Sequence, residues 1–317
     1  MTLASFVILE LISCILTDRL NSRRCHATLL PEPIPVAIKR FASEIMYPVA
    51  LVGCRTSEMS LDCCEYDLAV FTLSQEDNLA NHLVQVDNRQ VELMLFRGSI
   101  KDHIIDLGDM VILKDNSKLM LSSAARDIIS EKYKKTLAAS GKKLLISSLF
   151  CQQKMRRANH PMIAAMWLKI AAYEFIDGML ALSGNRPMPV HILEQVRQID
   201  SRMAEGVDVA LECIGAERAT RPAISRSMAA IKELKSKDYD RELFVSKIRH
   251  LLERRMLVDC YYYAGRVASI NLVSRKEIFY SQYSKLVQLA LDLVNDLQSL
   301  EKMQKRLFKA VNKSLAR

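Results

Sequence analysis

Residues 48–55 have the sequence PVALVGCR, and residues 65–68 have the sequence EYDL. The first stretch is apolar up to a glycine, which is typical of a buried strand that ends in a tight turn. The second stretch predicts another strand, in which alternate side chains share a face. Glu65 and Asp67 then point to the same side of the sheet, with their Cα atoms roughly 6.5 Å apart. Two carboxylates at this separation can converge on one Mg²⁺ or share two such ions.

A third acid follows on a separate predicted strand. Residues 90–96 have the sequence QVELMLF, an apolar run that Glu92 interrupts. An acid within a buried strand is costly unless a cation or hydrogen bonds compensate it. Three acids from neighbouring strands can hold two divalent ions against a nucleoside triphosphate. The residues leave one alternative open, in which the acids lie on a solvated strand face and Glu92 is an edge-strand charge.

The pattern of these residues resembles the polymerase-β-type nucleotidyltransferase superfamily, in particular its small prokaryotic and kanamycin-modifying branches. Five residues carry the resemblance: Gly53, Cys54, Glu65, Asp67 and Glu92. It covers roughly residues 34–130, where a helix, a strand, the glycine turn and three further strands are expected in that order. The resemblance implies a small mixed β-sheet domain that carries the metal ions and the nucleotide.

The resemblance also implies an activity, which is Mg²⁺-dependent transfer of NMP from an NTP to an acceptor. The residues with catalytic and metal-binding roles, for two Mg²⁺ ions, would be Glu65, Asp67 and Glu92. Those that bind the nucleotide would be Gly53, Cys54 and Arg55. The family usually has serine where this chain has Cys54, and a thiol is a weaker hydrogen-bond donor than a hydroxyl. This departure favours the alternative of a catalytically inactive nucleotide- or RNA-binding regulator with the same fold. The acceptor stays open between a small molecule, a protein and RNA.

Length and composition indicate two domains of different character. The 317 residues are half hydrophobic and contain 9 glycines, which favours helices over turn-rich sheet folds. Residues 1–130 carry 12 Lys+Arg and 17 Asp+Glu, whereas residues 131–317 carry 33 and 19. A basic second half would attract nucleotide phosphates or nucleic acid, although many helical domains carry excess Lys and Arg. No glycine-rich P-loop or dinucleotide-binding motif occurs in the sequence, so neither of those modes of nucleotide binding has support.

The predicted fold class is α+β, with a small mixed sheet followed by an all-helical domain. The predicted domains are residues 1–33, an N-terminal helix and connector; residues 34–130, the nucleotidyltransferase-like domain; and residues 131–317, the helical domain. The apolar run from residue 3 to residue 17 lacks a basic start and is shorter than the roughly 20 residues of a membrane span. We therefore expect a cytoplasmic protein with no membrane partner.

The end of the chain has a heptad pattern. Apolar residues recur every seven positions from Phe279 to Leu307, which predicts one helix of roughly 35–40 residues. The seam could pair two chains in a homodimer or pack against the preceding helices. Upstream, the three tyrosines at residues 261–263, followed by Arg266, favour core packing, with stacking on a base as the alternative.

Overall fold

The computed structural model describes residues 33–72, 82–97, 100–115, 121–122, 131–199, 201–234, 240–294 and 296–316. These residues fall into two compact units, 33–139 and 140–316. The boundary between the units lies within a helix, C-terminal to the predicted boundary at residue 130. The predicted N-terminal helix and the apolar run before it lie outside the described residues.

The first unit contains a five-stranded mixed sheet. The strands are β1 (Val49–Val52), β2 (Tyr66–Thr72), β3 (His82–Val86), β4 (Arg89–Arg97) and β5 (Val111–Lys114). Their order across the sheet is β3-β4-β2-β1-β5. The β2 and β4 strands run parallel, and all other neighbours run antiparallel. Together with the helices that follow, this sheet confirms the predicted α+β class.

Each face of this sheet has its own hydrophobic cluster. Helix α1 (Val36–Glu44) buries Ile38 and Ala42 on one face, against alternate strand residues that include Leu68. The opposite face carries Ala69 and Phe71, which pack with residues after β4. Since side chains alternate along a strand, any residue in step with Ala69 lies on the side of the sheet away from α1.

The second unit is helical throughout its described residues. Its helices are α2 (Glu131–Arg157, which begins in the first unit), α3 (Pro161–Leu182), α4 (Ile192–Arg197), α5 (Ser201–Ile214), α6 (Arg221–Glu233), α7 (Arg241–Glu253), α8 (Leu257–Val273), α9 (Glu277–Gln282), α10 (Ser284–Leu291) and α11 (Leu297–Leu315). Helix α3 is buried along almost its whole length, as expected for a helix that is apolar on all sides. A 3₁₀ turn, Ala216–Arg218, follows α5.

The prediction of one long C-terminal helix is wrong. The heptad segment forms three separate helices, α9, α10 and α11, rather than one. Within α11, the seam residues Leu300, Gln304, Leu307 and Val311 are buried. They pack against α3 and α5 of the same chain, which is the intrachain alternative. Homodimer formation stays a prediction.

The break after α10 has a physical cause in residues distant along the chain. Asp292 adopts a left-handed conformation, with φ 48°, that ends the helix. Lys169 Nζ donates to the carbonyl of Leu291 at 2.5 Å, and Arg218 Nη2 donates to the carbonyl of Asp292 at 2.8 Å. These cations satisfy carbonyls that a continuing helix would have used, and they complement the negative end of the helix dipole. The heptad pattern contains no sign of either contact.

Because the side chain of Lys169 is buried, we expect the free energy of unfolding to depend on pH in a specific way. Burial, together with the nearby Arg218 guanidinium, lowers the pKa of Lys169 to about 7. In the unfolded chain this lysine holds its proton up to about pH 10.4, so between pH 7 and 10 the unfolded state binds more protons than the folded state. The free energy of unfolding should therefore rise with pH across this window, relative to Lys169→Met, by up to about 1.4 kcal/mol per pH unit. Denaturant unfolding of both proteins at pH 7, 8, 9 and 10 measures the difference, and parallel pH profiles would contradict the assignment.

The tyrosines at residues 261–263 are buried in the core of the helical unit, so base stacking on them finds no support. Arg266 is half-buried and pairs with Glu174 at 3.0 Å and with Asp177 at 2.6 Å. This part of the chain therefore stabilises the packing of α3 against α8.

Two further observations concern membrane spans and disulfides. Among the described residues, no helix has both the length and the apolar character to cross a membrane. None of the cysteines in the described part of the chain forms a disulfide.

Candidate metal centre

The register of the parallel pair β2 and β4 brings two of the three predicted acids together. Asp67 on β2 lies directly beside Glu92 on β4. Asp67 is in step with Ala69 and Phe71, so its side chain lies on the face of the sheet away from α1. Glu92 is in step with Phe96, which belongs to the same face. The two carboxylates therefore lie side by side on neighbouring strands.

Glu65 completes the cluster from the residue before β2. Two positions separate it from Asp67, so both side chains emerge on the same face. One carboxylate oxygen from each of Glu65, Asp67 and Glu92 lies within 4.8 Å of the other two. Glu65 is buried, and the other two acids are half-buried. The structure thus brings together all three acids that the sequence singled out.

Gly53 allows Asp67 to take its position. Its neighbour Val52 pairs with Asp67 across β1 and β2, so the glycine turn lies beside this carboxylate. Gly53 has φ 78°, a conformation that favours glycine. A Cβ atom at Gly53 would lie 1.9 Å from Asp67 Oδ2. Glycine is therefore required twice here, by the backbone conformation and by the closeness of the acid. The contact of Gly53 with a phosphate stays a prediction.

Arg55 holds the segment that leads into Glu65. Its Nε and Nη2 donate to the carbonyl of Cys64 at 3.0 and 2.7 Å, and Nη2 also donates to the carbonyl of Asp62 at 3.1 Å. Its guanidinium lies 4.8 Å from the centre of the Tyr66 ring. These contacts fix the backbone that precedes Glu65 and hold the side chain of Tyr66, which follows it. In this structure Arg55 is a positioning residue, and its predicted role in nucleotide binding stays a prediction.

Cys54 is buried in the 3₁₀ turn that follows β1. A hydrogen bond with Cys64 raises the pKa of the Cys54 thiol, and burial and the negative charges of Asp67 and Glu65 raise it further. Cys54 therefore stays a neutral thiol at physiological pH. The hydroxyl groups of this turn donate to its own main chain: Thr56 Oγ1 donates to the carbonyl of Gly53 at 2.7 Å. Ser57 Oγ likewise donates to a main-chain carbonyl of the turn.

The donor set fits a hard divalent cation. Mg²⁺ prefers oxygen ligands and is usually held by one or two carboxylates together with water and substrate phosphates. Three carboxylates within 4.8 Å of one another can share one such ion or two. Because Gly53 has no side chain, the turn after β1 does not clash with the carboxylate of Asp67. The arrangement can therefore hold a divalent cation on this face of the sheet.

Sequence reasoning missed a second cluster of polar residues, which lies in the helical unit. It consists of Lys169, Arg218, Tyr261 and Asp292. One sequence signal was present, because Lys169 is the single charge in the apolar run of residues 162–173. A lone charge in a buried helix indicates a polar partner elsewhere in the fold.

The fold and the acidic cluster define an α+β protein with a candidate metal centre on its mixed sheet. No protein-family model and no curated protein matches the chain. Among solved structures, the chain is similar to a nucleotidyltransferase-like protein from Exiguobacterium sibiricum 255-15. The two chains are 16% identical, the match covers 85% of this chain and 90% of that chain, and the TM-score is 0.34. With a TM-score this low, the similarity says nothing about activity.

Proposed function

We propose that the first unit is a Mg²⁺-dependent nucleotidyltransferase that moves NMP from an NTP to an acceptor hydroxyl. The observation that supports this most is the convergence of Glu65, Asp67 and Glu92 within 4.8 Å on one face of the sheet. Asp67 and Glu92 lie on the parallel neighbouring strands β2 and β4, and Glu65 directly precedes β2. The register of these two strands therefore determines that the acids lie close together.

The three acids would have different roles. Glu65 and Asp67 would hold one cation, Glu92 would hold a second, and the Glu92 carboxylate would accept the proton of the acceptor hydroxyl. Bound Mg²⁺ would neutralise phosphate charge and lower the pKa of that hydroxyl. The acceptor oxygen forms a bond to the α-phosphorus while the bond from that phosphorus to the bridging oxygen breaks. Pyrophosphate leaves with the bonding electrons.

The turn after β1 would contribute its backbone. Because residue 53 is a glycine, the main chain of the turn can lie close to Asp67, and the phosphates would bind beside this turn. Arg55 would keep Glu65 in place through its bonds to the carbonyls of Asp62 and Cys64. The residues of the turn thus position the acids beside which the nucleotide would bind.

A second candidate function is a catalytically inactive nucleotide-binding regulator. The observation in its favour is Cys54, whose buried neutral thiol is a poor donor to a phosphate. The same acids would then hold an NTP with its cation, without transfer.

One experiment separates these two functions. Pyrophosphate release is measured with each NTP, Mg²⁺ and a panel of small-molecule, protein and RNA acceptors, for the native protein and Cys54→Ser. Transfer predicts Mg²⁺-dependent release by the native protein with at least one NTP, and equal or faster release by Cys54→Ser. Calorimetric NTP binding without release by either protein would support the inactive regulator. Absence of both binding and release would contradict both functions.

A further inference from the structure

A polar cavity lies within the helical unit. Its volume is about 280 Å³, slightly below the range of about 300–1,000 Å³ that is common for ligand pockets. The charged and polar residues that line it and bear on its chemistry are Lys169, Glu217, Arg218, Asp292, Asp296 and Ser299. The cavity belongs to the helical unit, whereas the candidate metal centre belongs to the first unit.

Two cations form the inner part of this cavity. Lys169 is 3% exposed, and its Nζ donates to Tyr261 Oη at 3.0 Å and to the carbonyl of Leu291 at 2.5 Å. An ammonium group has three N–H donors, so one remains for a ligand in the cavity that Lys169 lines. Arg218 Nε is a buried donor that makes no hydrogen bond to any described residue, although it lies 3.3 Å from Asp292 Oδ2.

The charge balance of the inner part favours an anion. In the inner part, Asp292 pairs with Arg218 and its carboxylate already accepts from Tyr261 Oη at 2.9 Å, whereas Glu217, which also acts on both cations, is exposed at the edge. Within the inner part, two cations share one carboxylate, and one N–H of Lys169 has no acceptor among its hydrogen bonds. An oxyanion such as a carboxylate would pair with the cations and accept a hydrogen bond from the remaining N–H donor.

The outer part of the cavity has the opposite charge. Glu217 and Asp296 are exposed acids at its edge. A third acid, Glu212, is paired with Arg306 at 2.5 Å and so is largely compensated. Ser299 donates its backbone N–H to Asp296 Oδ2 at 3.1 Å, which fixes the position of that carboxylate. These acids would repel a multiply charged anion and attract an ammonium group.

We propose that this cavity binds a small amino-acid-like zwitterion. Its carboxylate contacts Lys169 and Arg218, and its ammonium group contacts Glu217 and Asp296. The volume admits a compact ligand. Because the cavity contacts the residues that end α10, the bound ligand would also stabilise the break between α10 and α11.

Binding of the carboxylate favours the protonated form of Lys169, so affinity depends on pH. Four groups face this amine: Arg218, Glu217, Asp292 and the Tyr261 hydroxyl. The pKa of Lys169, lowered by burial to about 7, places its loss of charge within the accessible range. Between pH 6.5 and 8.5 the dissociation constant should therefore rise roughly 25-fold.

Calorimetric titration of the full chain with each of the twenty protein amino acids tests the proposal. Sodium acetate, ethylammonium chloride and inorganic phosphate serve as probes that carry only one kind of charge. At least one amino acid should bind at least tenfold more tightly than any of these probes. Binding of acetate or phosphate as tight as that of every amino acid would overturn the zwitterion assignment. So would the absence of binding by every amino acid at a ligand concentration of roughly 10 mM.

Variants locate the binding within the cavity. Lys169→Met should weaken binding of the amino acid at least tenfold, whereas Lys247→Met, at a buried lysine of α7, should leave it unchanged. Glu217→Gln alters an exposed side chain and so tests the ammonium contact even if Lys169→Met does not fold. Its matched control is Glu301→Gln, at an exposed position on α11 that does not line the cavity. Equal affinities for Glu217→Gln and Glu301→Gln would overturn the proposed contact.

Discussion

Asp67→Asn should abolish divalent-cation binding at the sheet. The substitution keeps the size of the side chain and removes one negative charge at the centre of the cluster, beside Glu92. Loss of a residue that only positions a metal ligand costs about 10–100-fold in affinity, so loss of a ligand should weaken Mn²⁺ binding by more than about 100-fold. Pyrophosphate release should fall at least about 1,000-fold, because the cation supplies several kcal/mol of transition-state stabilisation. Calorimetry with Mn²⁺ and a pyrophosphate assay measure the two effects.

The matched control for this prediction is Glu58→Gln. Glu58 is exposed on the segment between the glycine turn and β2, and it is not part of the acidic cluster. The control changes the net charge by the same amount, so it should keep native Mn²⁺ affinity. Native Mn²⁺ affinity in Asp67→Asn would show that the three acids do not form a metal site.

Gly53→Ala should impair the same site through sterics rather than charge. At φ 78° an alanine costs about 1–2 kcal/mol in backbone strain. The new Cβ would lie 1.9 Å from Asp67 Oδ2, so the carboxylate must rotate away. Since the end of a side chain moves more easily than the backbone, we expect the larger effect in cation binding, which should weaken at least about 10-fold.

The control Gly184→Ala separates the two effects of Gly53→Ala, which are backbone strain and the clash with Asp67. Gly184 has φ 87°, but a Cβ there would meet no heavy atom within 4 Å. Both variants should therefore lose about 1–2 kcal/mol of stability in denaturant unfolding. Weakened Mn²⁺ binding is expected for Gly53→Ala alone. Equal Mn²⁺ affinity in the two variants would refute the close contact between the turn and Asp67.

The sequence predicts the strands of the metal centre well but not their alignment. Alternation along EYDL and QVELMLF determines which residues share a face of each strand. It does not determine that β2 and β4 run parallel with Asp67 beside Glu92, because that register depends on pairings across the sheet. The β3 strand, half-exposed and only five residues long, was not predicted from its sequence at all.

The C-terminal segment shows why a strong periodic pattern can mislead. The heptad spacing is correct for α11, where Leu300 and Leu307 are buried. It continues through Leu293, but there the chain breaks at Asp292 because Lys169, 122 residues before Leu291, bonds to the end of α10. A long-range contact to a helix end leaves no mark on the local pattern, so tertiary packing overrides it.

The most direct test is the anomalous scattering of Mn²⁺ in crystals of the protein grown with a non-hydrolysable NTP analogue. A manganese peak within about 2.2 Å of carboxylate oxygens of Asp67 and of Glu65 or Glu92 is the predicted result. Bound nucleotide with no manganese peak among these three carboxylates would contradict the account.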